Sequence, residues 1–222
     1  MAIEVLSSLA LKGVLEKFRA QFEESAGAEL HLRFDATQAI LPQLAAGARA
    51  DLVVLTAEAI EELRTSGRVT HVRALGSSGV GVAVRAGARK PDIGTVDALR
   101  RALESAQSVA HSKVGASGIY FAQLMERLAI RPKKRVIVEK GPVGLVVAKG
   151  EAEIGIQQLC ELAPVPGIDI VGPLPGPVQR LTHFAAGLMA DAAEPRRARA
   201  VLNLLGSTKL RAAMRQGGIE PA

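Results

Sequence analysis

The chain has 222 residues, 48% of them hydrophobic and 23% charged, with a formal net charge of +6 and one cysteine. This composition supports a buried core without disulfides, because a lone thiol has no intrachain partner, and the length suits one large domain or two small lobes. Aromatics at 3% provide no stacking platform for bases, which argues against nucleic acid as the partner of the basic charge. No apolar run reaches the roughly 18 residues that a membrane helix needs, which excludes membrane insertion. Met1 to Val5 run straight into a strand with no basic or apolar leader region, so the chain as written is expected in the cytoplasm. A mature form trimmed of its leader would read the same way and be periplasmic.

The first elements alternate strand and helix. Ile3–Leu6 reads as a strand and Leu9–Ser25 as one helix, with Leu11, Val14, Leu15, Phe18 and Phe22 on a single stripe. Glu29–Phe34 is a strand, Thr37–Ala46 a helix, Asp51–Leu55 a buried strand and Ala57–Ser66 a helix that stops at Gly67. This βαβαβα order predicts a mainly parallel sheet covered by helices.

Ser78–Gly87 is then a glycine-laced apolar strand, a texture that marks a bend or a close backbone approach. A second α/β unit follows: helix Thr95–Ser105, strand Ser108–Ala110, helix Ser117–Leu128, strand Arg135–Val138, helix Pro142–Lys149 and strand Ile154–Gln157. The basic run Arg131–Arg135 reads as a solvated loop. A proline- and glycine-rich connector holds one strand, Ile168–Val171, and leads to a second small-residue strand, His183–Ala190. Pro195–Arg215 is helical, with a break at Ser207-Thr208.

Two soft strands flanking a complete α/β unit predict two lobes. Residues 1–78 with 184–222 form the first, residues 79–183 the second, and the ligand cleft is expected between them. Two crossing strands would act as a hinge.

Several segments resemble the molybdate-type periplasmic binding proteins. They are Ala50-Asp51-Leu52-Val53-Val54-Leu55-Thr56-Ala57, Ala116-Ser117-Gly118-Ile119-Tyr120, Lys149-Gly150-Glu151-Ala152-Glu153-Ile154-Gly155-Ile156, and the terminal Gly217-Gly218-Ile219-Glu220-Pro221. The resemblance spans the whole chain. It implies the class II periplasmic-binding-protein fold, two α/β lobes joined by two crossing strands. It also implies an oxyanion held by hydroxyls and backbone amides at helix starts. The sequence departs from the family at Gln157 and Gln158, where members usually carry a tyrosine after the Gly-Ile pair, and at Leu6-Ser7-Ser8, Ser117 and Gly141-Pro142-Val143. The glutamines offer donors as well as acceptors, which suits carboxylates at least as well as a tetrahedral oxyanion.

The physics of such a site does not depend on the family. Helix starts leave unpaired N–H groups and a partial positive charge, and loops after strand C-terminal ends collect them. The ligand-binding candidates on this reasoning are Ser7, Ser8, Ala36, Thr37, Thr56, Gly115, Ala116, Ser117, Gly141, Pro142 and Val143, with Gln157, Gln158 and Tyr120 beside them. Serines and threonines there also serve as ordinary helix caps.

Four histidines without ligand spacing give no metal site, and no cofactor motif is present. Gly76–Gly81 lacks the Lys-Ser/Thr of a phosphate loop. Cys160 is read as a small core residue. The function expected is capture of a small anion, an oxyanion such as molybdate or an organic polycarboxylate, by a monomeric solute-binding protein that serves an ABC permease. Two alternatives share the fold: an isomerase of an aconitate-like carboxylate, and a cytoplasmic ligand sensor. No residue is assigned a catalytic role, although His111, Lys113, Glu139 and Lys140 are the titratable groups near the candidates.

Overall fold

The computed structural model describes residues 2–222. The chain begins with strand β1 (Ile3–Ser8), a single 3-10 turn (Leu9–Leu11), and helices α1 (Lys12–Lys17) and α2 (Arg19–Ala26). The long helix expected from the Leu11–Phe22 stripe is thus broken at Phe18, whose φ of −106° and ψ of 15° interrupt the helical path. Next come β2 (Leu30–Asp35), α3 (Thr37–Ala45), β3 (Leu52–Thr56), α4 (Ala57–Thr65) and β4 (Val69–Arg85). Beyond β4 lie α5 (Val96–Ser105), β5 (Val109–Ser112), α6 (Ala116–Arg127), β6 (Arg135–Val138), α7 (Val143–Ala148), β7 (Ile154–Gln158), α8 (Leu159–Leu162) and β8 (Ile168–Pro173). A 3-10 turn at Gly176–Val178 precedes β9 (Leu181–Met189), α9 (Pro195–Leu205), α10 (Thr208–Gln216) and β10 (Glu220–Pro221).

Two compact units emerge: Met1–Ser77 with His183–Ala222, and Ser78–Thr182. Strands β4 and β9 carry the chain from one to the other.

In the first unit β1 is central. It runs parallel to β2, with Ile3 opposite Leu30 and Ser8 opposite Asp35, and parallel to β3, with Ser7 opposite Val54. β9 closes antiparallel on β3. Leu6, Ile40, Leu44, Val53, Leu55 and Ile60 pack together on one side of this sheet. The Ala50-Asp51 segment has a structural explanation. Asp51 is buried, and its carboxylate accepts the N–H of Glu4 at 2.9 Å and that of Glu194 at 3.0 Å, which ties β1 to the start of α9. Hydrogen bonds to a charged acceptor are among the strongest that a fold makes.

In the second unit β5 lies between β6 and β7, parallel to both, and β4 runs antiparallel to β7 and β8. Val82, Leu99, Leu103, Phe121, Leu124 and Ile156 form its core. Helix α5 shows how the sequence directs this packing. Thr95 caps it by accepting the Ala98 N–H at 3.1 Å, and Ala98, Leu99, Ala102 and Leu103 put its apolar face inward. The glycine-laced stretch of β4 is glycine for reasons of space. A Cβ at Gly81 would overlap the Leu159 side chain. Beside it, Gln179 brackets Val80 like a strand partner, its Oε1 accepting the Val80 N–H at 2.8 Å and its Nε2 donating to the Val80 carbonyl at 2.9 Å.

Candidate functional site

Each unit gathers polar groups where its parallel strands end. In the first unit these are the C-terminal ends of β1, β2 and β3, which the register places side by side. Ser7 is fully buried and its hydroxyl donates to the Ser8 carbonyl at 2.9 Å, so it serves the backbone. Ser8 differs. The residue is 4% exposed, and its Oγ is buried with no hydrogen-bond partner. A buried hydroxyl left unpaired costs about 1–3 kcal/mol, so it stands out among the candidate groups.

Next to it, Ala36 is the cap residue of α3, with the Asp35 carboxylate accepting its N–H at 2.8 Å. The first amides of α3 point onward without backbone partners, as at every helix start. Thr37 Oγ1 accepts the Thr56 N–H at 3.3 Å, so one side chain links the starts of α3 and α4. Thr56 is the cap residue of α4, and its hydroxyl bonds no amide of that helix. Ser7, Ser8, Ala36, Thr37 and Thr56 are therefore brought to one sheet edge.

In the second unit the loop after β5 does the same. The Ser112 hydroxyl accepts the Gly115 N–H at 2.9 Å and shapes the turn into α6. Gly115 is the cap residue of that helix and has no side chain to close it. Ala116 and Ser117 are the first two helical residues. Ser117 is 2% exposed, and its hydroxyl makes no hydrogen bond among the described residues. Gly118 sits against the Ser112 carbonyl, which a Cβ there would overlap, and this contact fixes where α6 begins.

The remaining candidates divide. Gly141, with φ of +87°, turns the chain into Pro142, the cap residue of α7. Val143 is fully buried, and its N–H is already engaged, donating to Gln157 Oε1 at 2.7 Å. Gln157 Nε2 in turn donates to Glu161. Gln158 points to the opposite face of β7, as strand alternation requires. There its Nε2 donates to the carbonyls of Ser78 and Gly79 at 2.8 and 3.1 Å, and its Oε1 accepts the Thr182 hydroxyl at 2.5 Å. The Tyr120 hydroxyl donates to the Val178 carbonyl at 2.8 Å, with the Arg180 guanidinium 5.5 Å from its ring centre. Tyr120 and Gln158 thus have their polar atoms occupied within the unit, and the Gly115 N–H is taken by the Ser112 hydroxyl, whereas the Ala116 and Ser117 amides and the Ser117 hydroxyl stand unpaired together at the start of α6.

The titratable groups near these loops are equally committed. His111 is buried, with its ring edge-on to Phe121 at 5.6 Å between centroids. Nδ1 faces the Ser112 carbonyl at 3.0 Å and Nε2 faces the Arg135 guanidinium at 3.1 Å, which assigns the proton to Nδ1. Burial lowers its pKa, the Ser112 carbonyl raises it and the Arg135 charge lowers it further, so the ring is held neutral. Lys113 and Glu139 form an exposed ion pair at 3.0 Å. Glu161, absent from the sequence candidates, is half-buried. Desolvation pushes its carboxyl up to about 7, against the pull of the Gln157 hydrogen bond. Its only sequence signal is the four-residue spacing from Gln157. Cys160 is buried, and desolvation, with the Glu161 charge beside it, holds its thiol far above the usual thiol range.

A family described as bacterial extracellular solute-binding protein matches residues 3–220. An aconitate isomerase from a Pseudomonas species is 37% identical over 230 residues, spanning 99% of this chain and 87% of that protein. The periplasmic molybdate-binding protein of Azotobacter vinelandii superposes with a TM-score of 0.76 at 18% identity, covering 98% of each chain. A periplasmic thiamin-binding protein superposes with a TM-score of 0.75 at 15% identity, covering 99% of this chain and 83% of the other.

Proposed function

This chain belongs to the bacterial extracellular solute-binding protein family and has the class II periplasmic-binding-protein fold, and from that premise we propose that it captures a small organic polycarboxylate. The observation that carries the proposal is the buried, partnerless Ser8 hydroxyl beside the unpaired first amides of α3. A negatively charged oxygen satisfies such groups with no cationic side chain. The unpaired Ser117 hydroxyl and the start of α6 supply a second set of donors of the same kind. The Val143 amide is closed by a neutral glutamine, which favours a polycarboxylate over a compact tetrahedral oxyanion. The full-length similarity to an aconitate isomerase points to the same class. The family's extracellular description favours the trimmed, periplasmic alternative over the cytoplasm, with delivery to a membrane permease. No helix among the described residues is long and apolar enough to cross a membrane.

The similarity to an isomerase also supports a second reading, in which capture leads to turnover. Isomerising aconitate requires removal of a proton beside a carboxylate. His111 and Lys113 are engaged by Arg135 and Glu139, which weighs against either as a free base.

A melting screen with cis- and trans-aconitate, citrate, molybdate and sulfate tests both readings. The tricarboxylates are expected to stabilise the protein by about 2.7 kcal/mol at a hundredfold excess over Kd. Stabilisation by molybdate or sulfate alone would contradict the polycarboxylate assignment, and an NMR time course on trans-aconitate decides between capture and turnover.

A further inference from the structure

The positive charge of this chain is concentrated near its end. Of 28 lysines and arginines, six lie between Pro195 and Gln216, a stretch with no aspartate or glutamate. The 22 that remain are matched by 22 acidic residues, so the net charge of +6 resides in α9, α10 and the turn that joins them.

The fold gathers much of this charge on one face of the first unit. Both helices commit their apolar sides to the core, α9 through Ala198, Val201, Leu202 and Leu205 and α10 through Leu210 and Met214. Arg196, Arg199, Lys209 and Arg211 are left exposed. Along α9, Arg196, Arg199, Asn203 and the cap residue Gly206 recur at intervals of three or four and so share a stripe. The exposed half of β4 borders that stripe. The Arg199 guanidinium donates to the His71 ring, and the Arg73 side chain lies over Gly206, where a Cβ would overlap it. Arg197 and Arg215 are paired, with Glu194 at 3.6 Å and Glu220 at 3.2 Å. Arg73, Arg196, Arg199, Lys209 and Arg211 meet no carboxylate among the described residues. The other basic run, Arg131–Arg135, is partly spoken for, since Arg131 pairs with Glu126 and Arg135 faces His111.

We propose that the face built from α9, the start of α10 and the exposed half of β4 is a docking surface for a bilayer rich in anionic lipid headgroups, which holds the protein by charge and without insertion. The inference is independent of which ligand the protein captures. Charge complementarity selects an anionic partner. The absence of an apolar anchor then selects the kind. Protein interfaces centre on aromatic and apolar side chains and deplete charge there, whereas Val72 is the only large apolar side chain that this unit leaves exposed among the described residues. Charges on long, mobile side chains from three elements suit a fluid headgroup layer, which adapts to their spacing. Insertion is ruled out because a helix lying in the interface needs a free apolar face, and those of α9 and α10 are buried in the core.

Cosedimentation of the intact protein with phosphatidylglycerol–phosphatidylcholine vesicles and with pure phosphatidylcholine vesicles tests the assignment. Binding is expected to the anionic vesicles alone. It should disappear between about 0.1 and 1 M salt, as the Debye length shortens from about 10 to about 3 Å. A basic side chain at an anionic surface contributes roughly fivefold, so Arg196→Gln with Arg199→Gln is expected to weaken binding by roughly 10- to 25-fold. Lys133→Gln with Lys134→Gln removes the same charge from the other basic run and should cost about twofold at most. If the first pair does not fold, Lys209→Gln with Arg211→Gln takes its place, since neither side chain bonds to anything among the described residues. Equal losses in the two basic runs would reduce the effect to net charge and overturn the surface. Binding to neutral vesicles, binding that survives 1 M salt, or none to the anionic vesicles overturns it as well. Tighter binding to polyglutamate or duplex DNA than to the vesicles, or release by millimolar glycerol phosphate, would replace the lipid by another anion and equally sink the proposal.

Discussion

Ser8 is a buried serine at the end of β1 whose hydroxyl makes a specific experiment decisive. Ser8 Oγ has neither solvent nor partner, so the ligand-free fold bears the cost of its desolvation. Ser8→Ala is expected to leave stability unchanged or raise it by about 1 kcal/mol, while removing a hydrogen bond to a charged ligand worth about 1.5–3 kcal/mol. A melting point steady or higher by about 2–4 °C, together with affinity weaker by roughly 10- to 150-fold, is the expected pair of results. A drop in melting temperature with unchanged affinity would return Ser8 to an ordinary packing role. The sequence identifies the position of such a residue but not its environment. Gln157 and Gln158 make the same point. As neighbours they read as one pair of donors, but strand alternation sends them to opposite faces, one to Val143 and one to the carbonyls of Ser78 and Gly79. Glu161 escaped notice because α8 has only four residues, too few to show a period.

At the scale of elements, the alternating strands and helices were legible because most bury a regular face. Exceptions occur where burial is irregular. The first half of β4 exposes five residues in succession, Thr70 to Ala74, so no alternation marks it as strand. The stripe from Leu11 to Phe22 continues through Phe18 although the backbone does not, because periodicity reports which side is buried and not whether the helix is continuous. The start of α6 is set by a backbone contact that no pattern reveals, the approach of Gly118 to the Ser112 carbonyl. Gly118→Ala gains up to about 1 kcal/mol of helix propensity but forces the helix off that carbonyl, at a net loss expected to be about 2 kcal/mol. Because Ala116 and Ser117 move with it, anion affinity should fall as well. Gly176→Ala, where a Cβ meets nothing within 4 Å, is the matched control and should change stability by less than about 0.5 kcal/mol in chemical denaturation.

At the scale of the whole molecule, the two units differ in how the chain builds them. Ser78–Thr182 is one uninterrupted stretch, whereas the other unit needs both ends of the chain. Its β3 pairs with β9, Leu52 opposite Leu188, so the ladder closes only after the intervening residues are placed. Contacts distant in sequence form slowly because loop closure must come first. Pulse-labelled hydrogen exchange during refolding is expected to protect the amides of β5 and β7 before those of β3 and β9. Simultaneous protection would mean that the two units fold as one cooperative body.

Cys160 gives the molecule a built-in clock for such events. It is the only thiol in the sequence, it is 2% exposed, and its surroundings keep it protonated. Thiolate is the form that reacts with disulfide reagents and maleimides. In the folded protein Cys160 is therefore silent, and each labelling event records one opening of the Ser78–Thr182 unit. The rate at which an unmodified sample consumes such a reagent, followed across denaturant, reads the opening free energy of that unit alone, without a tag, a fluorophore or a substitution.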